Sequence, residues 1–82
     1  MNKIIIQYQP FVMQQKIMLL DETNKPMSTY TVEMEEIPDL VATLSKNYVN
    51  EINFVGHKDF ALQQEQEIIS KVNNENIKIL FI

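Results

Sequence analysis

The chain has 82 residues, of which 45% are hydrophobic and 22% charged, a composition that fits one small globular domain spanning residues 1–82. A single glycine, three prolines and no cysteine exclude collagen, low-complexity disorder and a disulfide framework. All seven basic residues are lysines, and the net charge is -4. Because nucleic-acid binding favours a basic surface rich in arginine, we expect no nucleic-acid partner for the monomer.

The small size of the chain bears on its stability. A 9.6 kDa chain buries roughly 63% of the surface that its unfolded form exposes, which is near the lower limit for independent folding. Without cysteine, neither a disulfide nor a thiolate metal site can add stability. We therefore expect a partner subunit to supply additional stability.

The composition also bears on origin and location. The chain has no arginine but 11 isoleucines, eight asparagines and seven lysines. This composition is typical of an AT-rich genome and predicts that the protein comes from a low-GC bacterium or one of its phages or mobile elements. The apolar run before Gln7 is only three residues long, Ile4 to Ile6, too short for the core of a signal peptide. No apolar run approaches the roughly 20 residues that span a bilayer. We expect a cytoplasmic protein with no membrane partner.

Three extended segments open the chain. The isoleucine-rich residues 3–8 predict a strand buried on both faces. Residues 11–20 alternate and predict a second strand, whose polar centre at residues 14–16 indicates a bulge or a passage between two covered regions. Turn-forming residues fill positions 21–26 and predict a hairpin loop, and residues 28–34 alternate again as a third strand.

After Glu36 the apolar period changes from two to 3.6, which indicates an amphipathic helix. Pro38 fits its first turn, and Asn47 or Asn50 is the expected end. The predicted apolar stripe consists of Ile37, Leu40, Val41, Leu44 and Tyr48.

A short strand and a second helix follow. Residues 51–55 predict a strand that Gly56 ends, and a helix should run from residue 58 or 59 to 73. Its middle, residues 63–67, is polar and predicts an exposed turn or, alternatively, a polar interface with another protein. The apolar side of this helix is predicted to carry Ala61, Leu62, Ile68, Ile69 and Val72.

The element order is therefore β-β-β-α-β-α-β, an α/β class with a five-stranded mixed sheet and two helices. This order resembles the ribonuclease H-like fold, whose sheet has the order 3-2-1-4-5 with an antiparallel second strand. A ferredoxin-like variant with an extra strand is the alternative. The resemblance covers nearly the whole chain and rests on topology.

The resemblance implies an expectation about chemistry. Nucleases of this fold hold two divalent metals with acids on the first strand, on the first helix and near the end of the fourth strand. Here the first strand offers Lys3, Gln7 and Gln9, whereas Asp39 and Asp59 lie near the other two places. The resemblance therefore implies a scaffold without the catalytic site, and we expect no enzyme activity, no metal and no cofactor.

Two local clusters are candidate binding sites. Gly56, His57, Lys58 and Asp59 lie between a parallel strand and a helix, where open α/β sheets bind ligands, and could hold an anion. The alternative is structural: Gly56 makes the turn, Asp59 caps or charges the helix start, and the other two are solvated. The acidic residues Glu33, Glu35 and Glu36 either bind a cation or form a solvated strand end.

The last segment, residues 77–82, is apolar on both faces and predicts a strand that needs cover. The predicted association surface consists of Ile77, Ile79, Leu80, Phe81 and Ile82. We therefore predict a non-enzymatic protein that acts by protein–protein association, as a homodimer or with another protein partner. The alternatives are a ligand-binding or enzyme subunit that uses the loop at Gly56 and, more remotely, a degenerate nuclease-like nucleic-acid binder.

Overall fold

A computed structural model describes residues 1–82 as five strands and two α-helices. A single turn of 3-10 helix, Met34–Glu36, leads into the first α-helix. Neither α-helix has the length and apolarity that crossing a membrane requires. The elements are β1 Asn2–Tyr8, β2 Gln15–Leu20, β3 Pro26–Val32, α1 Ile37–Leu44, β4 Val49–Gly56, α2 Lys58–Val72 and β5 Lys78–Phe81.

The five strands form one mixed sheet in the order β3-β2-β1-β4-β5. β2 runs antiparallel to both β1 and β3, whereas β4 is parallel to β1 and to β5. The predicted fold class and strand order are confirmed, and the ferredoxin-like alternative is not the arrangement found. Membership of the ribonuclease H-like family stays a prediction, because a fold alone defines neither ancestry nor function.

Both helices cover the same face of the sheet, and they pack against each other. The two crossovers, through α1 and through α2, advance in the same direction across the sheet, so right-handed connections place both helices on one side. The prediction that the first strand is buried on both faces is therefore wrong. In β1, Ile4 and Ile6 are fully buried beneath the helices, whereas Lys3, Ile5 and Gln7 are half-buried on the open face.

The core lies between the sheet and the two helices. Fully burying one isoleucine contributes about 1.5–3 kcal/mol, so this single layer of side chains supplies most of the stability of the fold. The cluster comprises Ile4, Ile6, Tyr8, Ile17, Leu19, Ile37, Val41, Leu44, Val49, Ile52, Phe54, Ala61 and Ile68.

The first helix is shorter than its apolar stripe predicts. It ends at Leu44, and turns carry the chain to β4 at Val49. Tyr48 is therefore not part of the helix but 80% exposed, with φ at +57°. At the end of the helix, Asn47 N–H donates to the Leu44 carbonyl at 3.0 Å and so satisfies one of the carbonyls that the helix leaves unpaired.

Candidate functional site

The strands β1, β4 and β5 are parallel, so their carboxyl ends meet at one end of the sheet. At this end Tyr8 of β1 pairs with Gly56 of β4. Three segments lie at this end of the sheet: the loop of residues 9–14 after β1, the junction between β4 and α2, and the end of β5. Ligands of open α/β sheets bind at such a carboxyl end.

Gly56 has a structural role at this end. Its φ is +94°, a conformation that residues with a side chain rarely adopt, and a Cβ atom here would lie 2.2 Å from the Tyr8 carbonyl oxygen. The close approach lets His57 N–H donate to that oxygen at 2.9 Å. The interpretation of Gly56 as the residue that makes the turn therefore agrees with the structure.

The other three residues of the predicted ligand loop point to different places. His57 is the residue before α2, and its imidazole lies edge-on against the Phe60 ring with centroids 4.3 Å apart. Asp59 lies in the first turn, where its charge favours the helix start, but it does not cap the helix. Lys58 lines a cavity together with Gly56. The structure thus brings two of the four residues to one cavity, and ligand binding stays a prediction.

This cavity, of about 210 Å³, lies between β4, β5 and the first turns of α2. Two stacked aromatic pairs support its wall, Tyr8 with Phe54 at 6.2 Å and Phe54 with Phe81 at 5.0 Å between ring centroids. Lys58 is the one charged residue of the lining. The lining residues are Phe54, Val55, Gly56, Lys58, Ala61, Phe81 and Ile82.

The loop of residues 9–14 is called here the Phe11 loop. Residues 11–14 were predicted as the first part of the second strand, and that prediction is wrong. The strand begins only at Gln15, because the buried side chain of Gln15 bonds to the backbone of Gln9 at the start of the loop. Gln9 N–H donates to Gln15 Oε1 at 2.6 Å, and Gln15 Nε2 donates to the Gln9 carbonyl at 2.9 Å. These two bonds replace strand pairing and close the loop.

The Phe11 loop exposes apolar side chains to water. Phe11 is fully exposed and has φ at +64°, and Met13 is 87% exposed. Apolar residues normally gain about 1.5–3 kcal/mol each from burial, so neither side chain contributes this to the isolated fold. Sequence reasoning missed this feature because the apolar alternation runs through it; the polar residues 14–16 were the one available signal.

A buried polar network connects the sheet to both helical segments. The Tyr8 hydroxyl donates to Gln64 Oε1 at 2.7 Å, and Gln64 Nε2 donates to the Met34 carbonyl at 2.6 Å. The prediction that residues 63–67 form an exposed turn is therefore wrong for Gln64, which is 8% exposed. Conversely, Leu62 and Ile69, predicted on the apolar side of this helix, are exposed.

Burial raises the pKa of the Tyr8 hydroxyl well above its ordinary value of 10.0. At a pH below 10.0 the Tyr8 hydroxyl is protonated in both the folded and the unfolded chain, so it adds no pH dependence to stability. Above pH 10.0 the hydroxyl loses its proton in the unfolded chain but keeps it in the folded chain, so the free energy of unfolding falls as the pH rises. Tyr8→Phe should cost about 1 kcal/mol at neutral pH, and its difference from the wild type should shrink as the pH rises.

Urea unfolding between about pH 7 and pH 11 measures this difference. Tyr48→Phe, which changes an exposed tyrosine at the other end of β4, controls for effects of alkaline solution. A Tyr8→Phe difference that stays constant over the range would show that the hydroxyl is not held protonated by its surroundings.

The acidic residues Glu33, Glu35 and Glu36 stabilise the start of the helical segment. Glu33 N–H donates to Glu36 Oε1 at 3.1 Å in a capping box. A side-chain hydrogen bond with Glu35 and the negative charges of Glu35 and Glu36 raise the pKa of Glu33. A backbone hydrogen bond and the side-chain hydrogen bond with Glu33 lower the pKa of Glu35. Cation binding by these three residues stays a prediction.

A second cavity, of about 380 Å³, lies between β3 and α1. Its acidic lining includes Glu35, Glu36 and Asp39. Asp39 accepts a hydrogen bond from Lys71 Nζ at 2.6 Å, and this contact raises the pKa of Lys71. No three His, Cys, Asp or Glu side chains come together in an arrangement suited to a metal ion. Of the acids discussed for a nuclease-like site, Asp39 therefore pairs with α2, and Asp59 lies at the start of that helix.

Comparison with the models of known protein families and with curated proteins finds no match to this chain. The proposals on function therefore rest on the geometry of the chain itself.

Proposed function

We propose that the protein acts by binding other protein chains, without catalysis, and that it forms a homodimer through the carboxyl end of the sheet. The observation that carries this proposal is the concentration of exposed apolar side chains at that end. Phe11 and Met13 project from the Phe11 loop, and Phe81 and Ile82 are exposed at the end of β5. Exposed apolar patches of this kind are typical of interaction sites.

The free edge of β5 supports the same proposal. Ile82 N–H donates to the Phe54 carbonyl, and alternate residues of a strand direct their backbone groups to the same side. The N–H and C=O groups of Ile79 and Phe81 therefore point away from β4. An apolar edge strand with unpaired backbone groups is suited to pairing with another chain. The residues predicted from the sequence as an association surface belong to β5 or flank it, and Ile77, Ile79 and Leu80 among them are half-buried.

Sedimentation velocity between about 1 and 100 micromolar tests the homodimer. We expect a concentration-dependent dimer, and Ile82→Lys should raise its dissociation constant by at least about tenfold because a buried charge is costly. Met27→Lys changes an exposed apolar residue on the opposite edge strand and should leave the dimer intact. A wild-type protein that stays monomeric over the whole range would contradict the homodimer.

Ligand binding at the Gly56 loop is the second candidate, and the cavity beside Gly56 and Lys58 favours it. The sedimentation experiment separates the two functions, because a protein that only binds a small ligand would remain monomeric. The origin in a phage or mobile element and the ribonuclease H-like ancestry stay predictions, for which the neighbouring genes would supply the test.

A further inference from the structure

We infer that Phe11 of one copy inserts into the cavity between β4, β5 and α2 of a second copy, and that the contact is reciprocal. This inference rests on the homodimer proposed above and names the residues that would form it.

The conformation of Phe11 is the first support. Its left-handed backbone is unfavourable for a bulky side chain, and the structure nevertheless holds its ring in water. The two hydrogen bonds between Gln15 and Gln9 define the loop that presents the ring. Tyr48 shares the positive φ and the exposed ring, so it is the position of Phe11, at the end of the sheet that carries the cavity, that distinguishes it.

The cavity is small and its lining is mostly apolar, as a site for one aromatic side chain requires. Its volume, about 210 Å³, is below the roughly 300–1,000 Å³ of most ligand pockets. Phe54, Val55 and Ala61 supply an apolar wall, and Phe81 and Ile82 supply the side formed by β5. Burial of Phe11 there would also cover Phe81, at the end of β5, and Ile82, which follows it.

The position of loop and cavity permits a closed dimer. Tyr8, just before the Phe11 loop, pairs with Gly56, which lines the cavity. Loop and cavity therefore lie at the same end of the sheet, separated by about two strand spacings of 4.8 Å. A twofold axis through this end brings each Phe11 towards the cavity of the other copy, and such an interface closes with two identical contacts.

Phe11→Ser tests the inference by sedimentation equilibrium of the full chain. Losing both contacts should weaken the dimer by about a hundredfold, since one buried phenylalanine contributes roughly tenfold or more. Tyr48→Ser is the matched control, because Tyr48 is also an exposed aromatic residue with positive φ but lies away from the cavity. It should leave the dissociation constant unchanged.

The outcomes distinguish this inference from the proposed function. A wild-type dimer whose dissociation constant is unaffected by Phe11→Ser overturns the insertion and leaves the homodimer standing. A monomeric wild type overturns both. A wild-type monomer that nevertheless loses stability in Phe11→Ser would indicate that Phe11 fills the cavity of its own chain instead.

Mixing two variants tests reciprocity. Ala61→Met fills the cavity from within and should weaken the homodimer as Phe11→Ser does. A mixed dimer of the two variants retains one complete contact, so it should form about tenfold more tightly than either variant dimer. Circular dichroism checks folding, and Val55→Trp on the cavity wall replaces Ala61→Met if the latter unfolds. A mixture no tighter than its components would overturn the reciprocal contact.

Discussion

Gly56→Ala is expected to lower the free energy of unfolding by about 3 kcal/mol or more. A φ of +94° is unfavourable for alanine, and its Cβ would lie 2.2 Å from the Tyr8 carbonyl oxygen, a backbone atom of the central strand. Relief of the clash would break the 2.9 Å hydrogen bond from His57 N–H to the same oxygen. Urea unfolding followed by circular dichroism measures the loss.

Asn50→Ala, at an exposed position of the same strand, is the control for Gly56→Ala and should change stability by less than about 0.5 kcal/mol. A Gly56→Ala protein within about 1 kcal/mol of the wild type would show that β4 can reach α2 by another backbone path.

Gln64→Ala is expected to destabilise the protein by about 2 kcal/mol, since it leaves the buried Tyr8 hydroxyl without a partner. It also removes one of the two hydrogen bonds to the Met34 carbonyl, which still accepts the Ile37 N–H. Its neighbour Gln63 is exposed on the same helix, so Gln63→Ala is a matched control and should be nearly neutral. Urea unfolding of both variants gives the difference between their free energies of unfolding. This difference reports the loss of the hydrogen bonds of Gln64, because both variants share the same change in helix propensity.

The double variant Tyr8→Phe with Gln64→Ala gives a further check of the network. Because Tyr8→Phe removes the hydroxyl that Gln64→Ala leaves without a partner, the two losses should be less than additive by about 1 kcal/mol. Strictly additive losses would mean that the hydroxyl and the amide do not depend on each other.

The strand order was predictable because the apolar period changes at recognisable points. Ile37, Val41 and Leu44 recur at helical spacing after an alternating strand, and each is buried in the structure. Two strand-helix-strand units with right-handed crossovers then leave few possible orders for the sheet. At the carboxyl end of the sheet, the turn at Gly56 was predictable because it is the only glycine in the chain.

The Phe11 loop and the buried Gln64 were not predictable in this way. Both depend on side-chain amides that bond to groups which the local pattern does not identify: Gln15 to the backbone of Gln9, and Gln64 to Tyr8, 56 residues away. Periodicity assigns a glutamine to the polar side, because it carries no information on a partner elsewhere in the fold. The missed features of the candidate site have this single physical origin.

The alternation in β4 has a consequence for the accuracy of strand pairing. Ile52 and Phe54 are buried beneath the helices, whereas Glu51 and Asn53 occupy the opposite side of the strand. A slip of one residue against β1 would exchange the two sets and place a carboxylate and an amide in the apolar core. Misaligned forms of the sheet are thereby penalised at its centre, even though the open face itself carries no second layer.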